Sequence, residues 1–327
     1  MTATAVPSPA PAAVIPPLTW LYVPGDRPAV VAKALASGAD AVVIDLEDAV
    51  ADDRKSYALR ATAELLTEPR PVGPGPAPAI HVRVNTLTGP RAATEIRTLA
   101  GLPALAGLRL PKVSGAADIR RAAAWAAADR AGHAVPPLYA LLESALGVEN
   151  AFAVATAHPA LCGLSLGEAD LRAELGLRDE DGLGWARGRT VIAARAAGLP
   201  PPPQSVFPDI RDTAALALSC ARGRALGFLG RAALHPRQLP VIERAYLPTA
   251  EEVERARETV RAAAGRPGAC ALPDGRFVDP AVVAAAHRTL ALADRRPRCA
   301  VDHRPPYGAA HRPPYGAAHR PPYEAAP

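Results

Sequence analysis

Eight short apolar runs, separated by Ala-rich helical segments, constrain this chain more than any other feature. The runs are LTWLYVP at 18–24, DAVVIDL at 40–46, AIHVRVN at 79–85, GLRLPKV at 107–113, LYALLE at 138–143, LCGLSLG at 161–167, QSVFP at 204–208 and ALGFLG at 225–230. Helical segments follow them near 28–37, 49–67, 90–100, 116–131, 147–157, 185–197, 212–222 and 249–264. Continuous apolar character, as in Ala41 to Ile44, marks strands covered on both faces. Eight strand–helix units in about 250 residues predict an α/β fold of the (β/α)8 TIM-barrel type. A doubly wound sheet is the alternative, but no G-x-G-x-x-G follows the first run.

The barrel is assigned to residues 18–265 and a further C-terminal segment to 266–296, flanked by two ends that are not expected to pack. Residues 1–17 are Ala/Pro-rich, and the end, 297–327, carries HRPPYGAA at 303–310 and 311–318 and HRPPYEAA at 319–326. Paired prolines remove backbone donors and favour extended polyproline II, so both ends are read as disordered. The chain is 49% hydrophobic and 21% charged, which suits a soluble globular protein. No run reaches the roughly 18 apolar residues of a membrane span, and the start lacks a secretory pattern, so a cytoplasmic protein is expected. Cys162, Cys220, Cys270 and Cys299 form no C-x-x-C pair and read as reduced structural thiols. A net charge of +5 with 4% aromatics argues against nucleic acid as a partner.

A TIM barrel places its chemistry at the C-terminal ends of its strands, and there the polar residues of this chain collect. The second run ends in Asp45, Glu47 and Asp48, the third in Arg83 and Asn85, the fourth in Lys112 and the fifth in Glu143. The sixth leads to Glu168 and Asp170, and the eighth to His235. Glu143 and Asp170 are hard oxygen donors without accompanying His or Cys, so magnesium is favoured over zinc. Magnesium keeps several waters and leaves room for a bidentate oxygen substrate such as a 2-keto acid, whose carboxylate the planar fork of Arg83 suits. The residues alone lead to a metal-assisted lyase or aldolase and no further.

The motifs LYVPGDRPAVVAKALASGADAVVIDLEDAV, RVN, LPKV, LLESALGVENA, GEADL and ALGFLGRAALHPRQLPVIERAYLPT stand in order from about Leu21 to Leu290. Together they resemble the citrate lyase beta-subunit-like acyl-CoA lyases of the HpcH/HpaI aldolase superfamily, which include malyl-CoA and citramalyl-CoA lyases. The resemblance implies a homotrimeric TIM barrel with magnesium, acyl-CoA and 2-keto acid substrates. It implies Glu143 and Asp170 as metal ligands, Arg83 as the keto-acid clamp, and Tyr22, Lys33, Leu234 and His235 as coenzyme A contacts. It makes the segment at 266–296 a lid whose Asp279 serves as acid–base in the neighbouring subunit. Citramalyl-CoA, giving acetyl-CoA and pyruvate, is the expected substrate, with malyl-CoA, giving acetyl-CoA and glyoxylate, close behind. An aldolase acting without coenzyme A, and a non-catalytic barrel whose tail recruits partners, are the competing classes.

Three departures from the family pattern stand out. Ala169 precedes Asp170 where a Glu is common, with Glu168 one residue earlier. KSYALR puts Leu59 in the slot of an expected Arg and leaves Lys55 and Arg60 doubtful as phosphate contacts. Pro280 follows Asp279 directly, where the family has one intervening residue. Asp45 and Glu47 share one strand face and are expected to brace Arg83, Lys112 and the metal's waters, while Asp48 either joins them or caps a helix starting near Ala49.

Overall fold

The structure is a computed structural model that describes residues 16–68, 77–128, 134–264, 268–272 and 274–295. The Ala/Pro-rich residues 1–15 and the repeat tail lie outside the described residues. Seven strands pair in parallel: β1 (Thr19–Pro24), β2 (Ala41–Asp45), β3 (Ala79–Arg83), β4 (Leu105–Leu110), β5 (Leu138–Leu142), β6 (Leu161–Leu166) and β7 (Arg231–Ala233). Their order is β6-β5-β4-β3-β2-β1-β7. Strands β1 to β6 therefore lie side by side in chain order, each joined to the next by a helical crossover, and β7 pairs with β1 at the opposite edge from β6.

The rings inside the sheet show that it curls. Trp20 on β1, His81 on β3 and Tyr139 on β5 meet edge to face, with centroids 5.0 Å apart for Trp20 and His81, 4.8 Å for His81 and Tyr139, and 5.9 Å for Trp20 and Tyr139. In a flat sheet, strands four places apart would stand about 19 Å from each other. The inner face is small near these rings. A Cβ on Gly107 would lie 2.8 Å from both His81 Nδ1 and Tyr139 Cε2, so glycine there lets the rings close. Trp20, Ala41, Val43 and Ala232 form the apolar layer inside the curl, and a larger layer fills the space between sheet and helices.

The helices are α1 (Pro28–Leu35), α2 (Lys55–Thr67), α3 (Ala92–Leu99), α4 (Ala116–Ala127), α5 (Ala145–Glu149), α6 (Ala151–Ala155), α7 (Glu168–Leu175), α8 (Gly184–Ala196), α9 (Thr213–Ala225), α10 (Leu239–Tyr246), α11 (Ala250–Ala263) and α12 (Pro280–Ala293). Their buried positions follow the helical period. In α10 Leu239, Ile242, Glu243 and Tyr246 face inward, and in α3 Ala92, Glu95, Ile96 and Leu99 do so. No helix among the described residues is long and apolar enough to cross a membrane.

Two expected strands need correction. The seventh run, 204–208, contributes one bridging residue, Gln204, paired in parallel with Arg231. The eighth, 225–230, is not a strand: α9 runs through Ala225, and Gly227 and Gly230 turn the chain with φ of 94° and 80°. Left-handed backbone at two glycines cannot continue a β ladder, so the strand forms only at Arg231–Ala233. The helix expected from Ala49 begins at Lys55, behind a 3-10 turn at Asp52–Arg54. Asp48 is therefore not its cap.

The C-terminal segment makes a short antiparallel hairpin, β8 (Cys270–Ala271) with β9 (Phe277–Val278), and then α12 against α11. Asp279 caps α12, its Oδ1 accepting from the Val282 N–H at 2.8 Å. At the far end Arg295 pairs with buried Asp40, which also accepts the N–H groups of Leu18 and Thr19.

Candidate active site

The C-terminal ends of the strands open into a cavity of about 470 Å³. Tyr22, Asp45, Asp48, Arg83, Glu143, Asp170 and Leu234 line it, together with Ala169, Gly167 and residues 203–206. Glu47 and Lys112 are not among the lining residues and bond to one another. Lys33 is exposed on α1, His235 caps the turn at Pro236–Gln238 with its Nδ1, and neither lines the cavity. Asp279 does not line it either.

The three acids at the end of β2 hold the arginine at the end of β3. Arg83 donates from Nε to Asp45 Oδ1 at 2.7 Å and from Nη2 to Oδ2 at 2.6 Å, a bidentate pair. Its Nη1 lies 3.0 Å from Glu47 Oε2 and 3.2 Å from Asp48 Oδ2. Burial works against the guanidinium's charge, but the bonds to Asp45 outweigh it and hold the group above its ordinary pKa. Asp45 is itself fixed by the N–H groups of Glu47 and Ala49. A strand that ends in acids is stable here because every acid meets a cation or a backbone donor.

Lys112 links this network to Glu143. Its Nζ donates to Glu47 Oε1 at 2.8 Å, and its backbone N–H donates to Glu143 Oε2 at 2.7 Å. Lys112 adopts φ of 52°, a left-handed backbone that costs a side-chain-bearing residue about 1–2 kcal/mol. That turn aims the N–H at the Glu143 carboxylate. Gly167 packs against the same carboxylate: a Cβ there would lie 2.4 Å from Glu143 Cγ.

Glu143 is 6% exposed. Burial first, and the negative charge of Glu47 second, push its carboxyl up to about 7, with Asp170 adding to the rise. A positive ion between Glu143 and Asp170 would reverse this. Among the described residues no group of three or more His, Cys, Asp or Glu could hold a metal. Glu143 and Asp170, both on the cavity, offer carboxylate oxygens without nitrogen or sulfur, which fits a hard cation that keeps its waters and does not fit zinc.

Other sequence candidates have structural partners. Asn85 donates to Leu46 O and Glu95, while Lys55 donates to the carbonyls of Leu46 and Glu47 and to Asn85 Oδ1. Lys55 therefore ties down the end of β2. Glu168 forms a bidentate pair with Arg187, at 2.8 and 2.6 Å. Sequence reasoning missed Arg109 and Ser165, which lie on the cavity floor and bond to each other at 2.8 Å. A signal was present, because Leu108 and Leu110 occupy one face of β4 and period two turns Arg109 to the other.

A curled parallel sheet with helices outside and a carboxylate-ringed mouth at its strand ends defines an α/β enzyme scaffold. The chain belongs to the HpcH/HpaI aldolase/citrate lyase family, whose pattern matches residues 18–236. It is 36% identical to a (3S)-malyl-CoA thioesterase of Cereibacter sphaeroides over 84% of this chain and 93% of that protein. It is 31% identical to an L-malyl-CoA/beta-methylmalyl-CoA lyase of the same species, covering 79% of this chain and 89% of the relative. The solved structure of CitE from Mycobacterium tuberculosis, in complex with magnesium, acetoacetate and coenzyme A, superposes with a TM-score of 0.70. That match has 32% identity and spans 85% of this chain and 98% of CitE.

Proposed function

We propose that this chain is a magnesium-dependent acyl-CoA lyase that reversibly splits a β-hydroxyacyl-CoA into an acyl-CoA and a 2-keto acid. The observation that carries the reading is Glu143, buried at a cavity mouth with its pKa raised, with Asp170 as a second oxygen donor on the same cavity. Magnesium held there by Glu143 and Asp170 would supply Lewis-acid stabilisation of the alkoxide and carbonyl oxygens. The magnesium and coenzyme A complex of CitE supports this assignment. We take the curled sheet to be the (β/α)8 barrel, with residues 203–206 in the place of the seventh strand, since Gln204 bridges to Arg231 and these residues share the cavity with β6.

In cleavage a base takes the proton of the β-hydroxyl group and the adjacent carbon–carbon bond breaks. Its electron pair passes to the thioester as an enolate, and the enolate carbon then takes a proton. Arg83, locked in position by Asp45, keeps one side of the keto-acid fragment positive. Tyr22 and Leu234 are assigned to the coenzyme A ester at the rim, with Lys33 and His235 farther out. Asp279, half-buried at the start of α12, is assigned as the acid–base of a neighbouring subunit in a homotrimer. Malyl-CoA now stands ahead of citramalyl-CoA as substrate, because the relatives carry malyl-CoA in their names. Those names also favour a second reading, hydrolysis of the thioester itself. Incubating the protein with magnesium, acetyl-CoA and a panel of 2-keto acids, and identifying adducts by mass, tests the proposal. A condensation product supports the lyase, and none with any keto acid refutes it.

A further inference from the structure

Arg109 is a buried charge without a counter-charge. It is 1% exposed, and no carboxylate among the described residues lies within 4 Å of it. Nη2 donates to Ser165 Oγ, while Nε and Nη1 have no hydrogen-bond partner. Rings surround it instead: its Cζ lies 4.6 Å from the centroid of Trp20, 5.6 Å from Tyr139 and 6.0 Å from Tyr22. Cation–π contacts offset part of the desolvation cost, yet orphaned guanidinium nitrogens remain expensive. The nearby His81 ring offers no anion, and burial and the Arg109 charge hold it neutral, its pKa pulled down to about 3.

The position of Arg109 explains what the charge is for. β3 and β4 pair Arg83 directly with Arg109, so two guanidiniums are cross-strand neighbours on the cavity side. Like charges side by side on a sheet destabilise it unless an anion joins them. Arg83 spends its Nε and Nη2 on Asp45 and its Nη1 on Glu47 and Asp48. Arg109 spends one nitrogen on a neutral hydroxyl. Of the two, Arg109 holds the positive charge still available to an incoming anion.

We propose that Arg109 is a substrate-binding group on the cavity floor, which receives the carboxylate of the 2-keto acid fragment beside Arg83. This rests on the lyase reading and adds a residue to it. A buried charge replaced by an apolar side chain of similar length is commonly neutral or stabilising, so Arg109→Met is expected to fold at least as stably as wild type.

The test is thermal unfolding of the full chain with magnesium, with and without pyruvate, glyoxylate or oxaloacetate, at matched ionic strength in sodium chloride. Wild type is expected to gain Tm with pyruvate and not with chloride. Arg109→Met is expected to lose most of that gain, its pyruvate Kd weakened at least about tenfold, with coenzyme A affinity unchanged. Arg109→Lys keeps the charge but not the fork, so it is expected to bind pyruvate between the two, and it keeps the test valid if the Met variant does not fold. An unchanged pyruvate response in Arg109→Met, or in Arg109→Lys where that alone folds, overturns the role of Arg109 and leaves the lyase reading standing. A wild type indifferent to pyruvate, glyoxylate and oxaloacetate alike overturns the lyase reading and this proposal with it.

Discussion

At the residue scale the proposed chemistry depends on Glu143. Its carboxyl titrates near 7 in the folded metal-free protein, against 4.5 for an ordinary glutamate, so the folded state keeps a proton that the unfolded chain has released. The stability this contributes is complete below about pH 4.5 and is lost as the pH rises through about 7. Glu143→Gln, which keeps the shape but does not titrate, should flatten that slope. Urea midpoints in EDTA at about pH 5 and about pH 8 check it, and equal slopes in both proteins would contradict the assignment. Gly167→Ala tests the same carboxylate by crowding. Its methyl group would displace Glu143, so magnesium affinity by calorimetry should fall at least about tenfold while the fold survives. Glu143, Asp170 and the β2 acids were legible because charged residues at strand ends break an apolar pattern. Arg109 was not, since a lone arginine in GLRLPKV has the composition of a solvated residue, and only its alternation with Leu108 and Leu110 reveals an inward face.

Among the elements, β1 to β6 could be read directly, because long buried apolar runs have few other ways to satisfy both face and backbone. The end of the sheet could not. ALGFLG has a strand's composition, but its glycines serve a turn and a close approach, and a Cβ on Gly230 would lie 2.5 Å from the carbonyl oxygen of Leu18. Gly230 also holds φ of 80°. Gly230→Ala therefore meets backbone on one side and a strained dihedral on the other, with no flexible side chain to yield. It is expected to cost about 2–4 kcal/mol in urea unfolding by loosening β7 from β1. A loss below about 0.5 kcal/mol would mean that the register of β7 is set elsewhere. The helix after β2 was misplaced by six residues for a related reason: Asp45, rather than Asp48, gathers the loop's N–H groups, which delays the helix to Lys55.

At the scale of the whole molecule, Asp279 raises the question of subunits, because it is not among the residues lining its own chain's cavity. Within one chain Asp279 caps α12, and Arg295 fastens the other end of that segment to Asp40. If the lid serves a neighbour, Asp279→Asn and Glu143→Ala should each be inactive alone. Mixed after subunit exchange, they should regain a fraction of wild-type activity, because some sites then pair an intact barrel with an intact lid. No recovery after demonstrated exchange would exclude a lid acting between subunits. Whether the chain cleaves the carbon–carbon bond is decided by the products of malyl-CoA turnover with magnesium, identified by mass. Acetyl-CoA and glyoxylate are expected in equal amounts, with turnover abolished by EDTA and reduced by orders of magnitude in Asp170→Ala. Malate and free coenzyme A in their place, or turnover indifferent to EDTA, would contradict the proposed function.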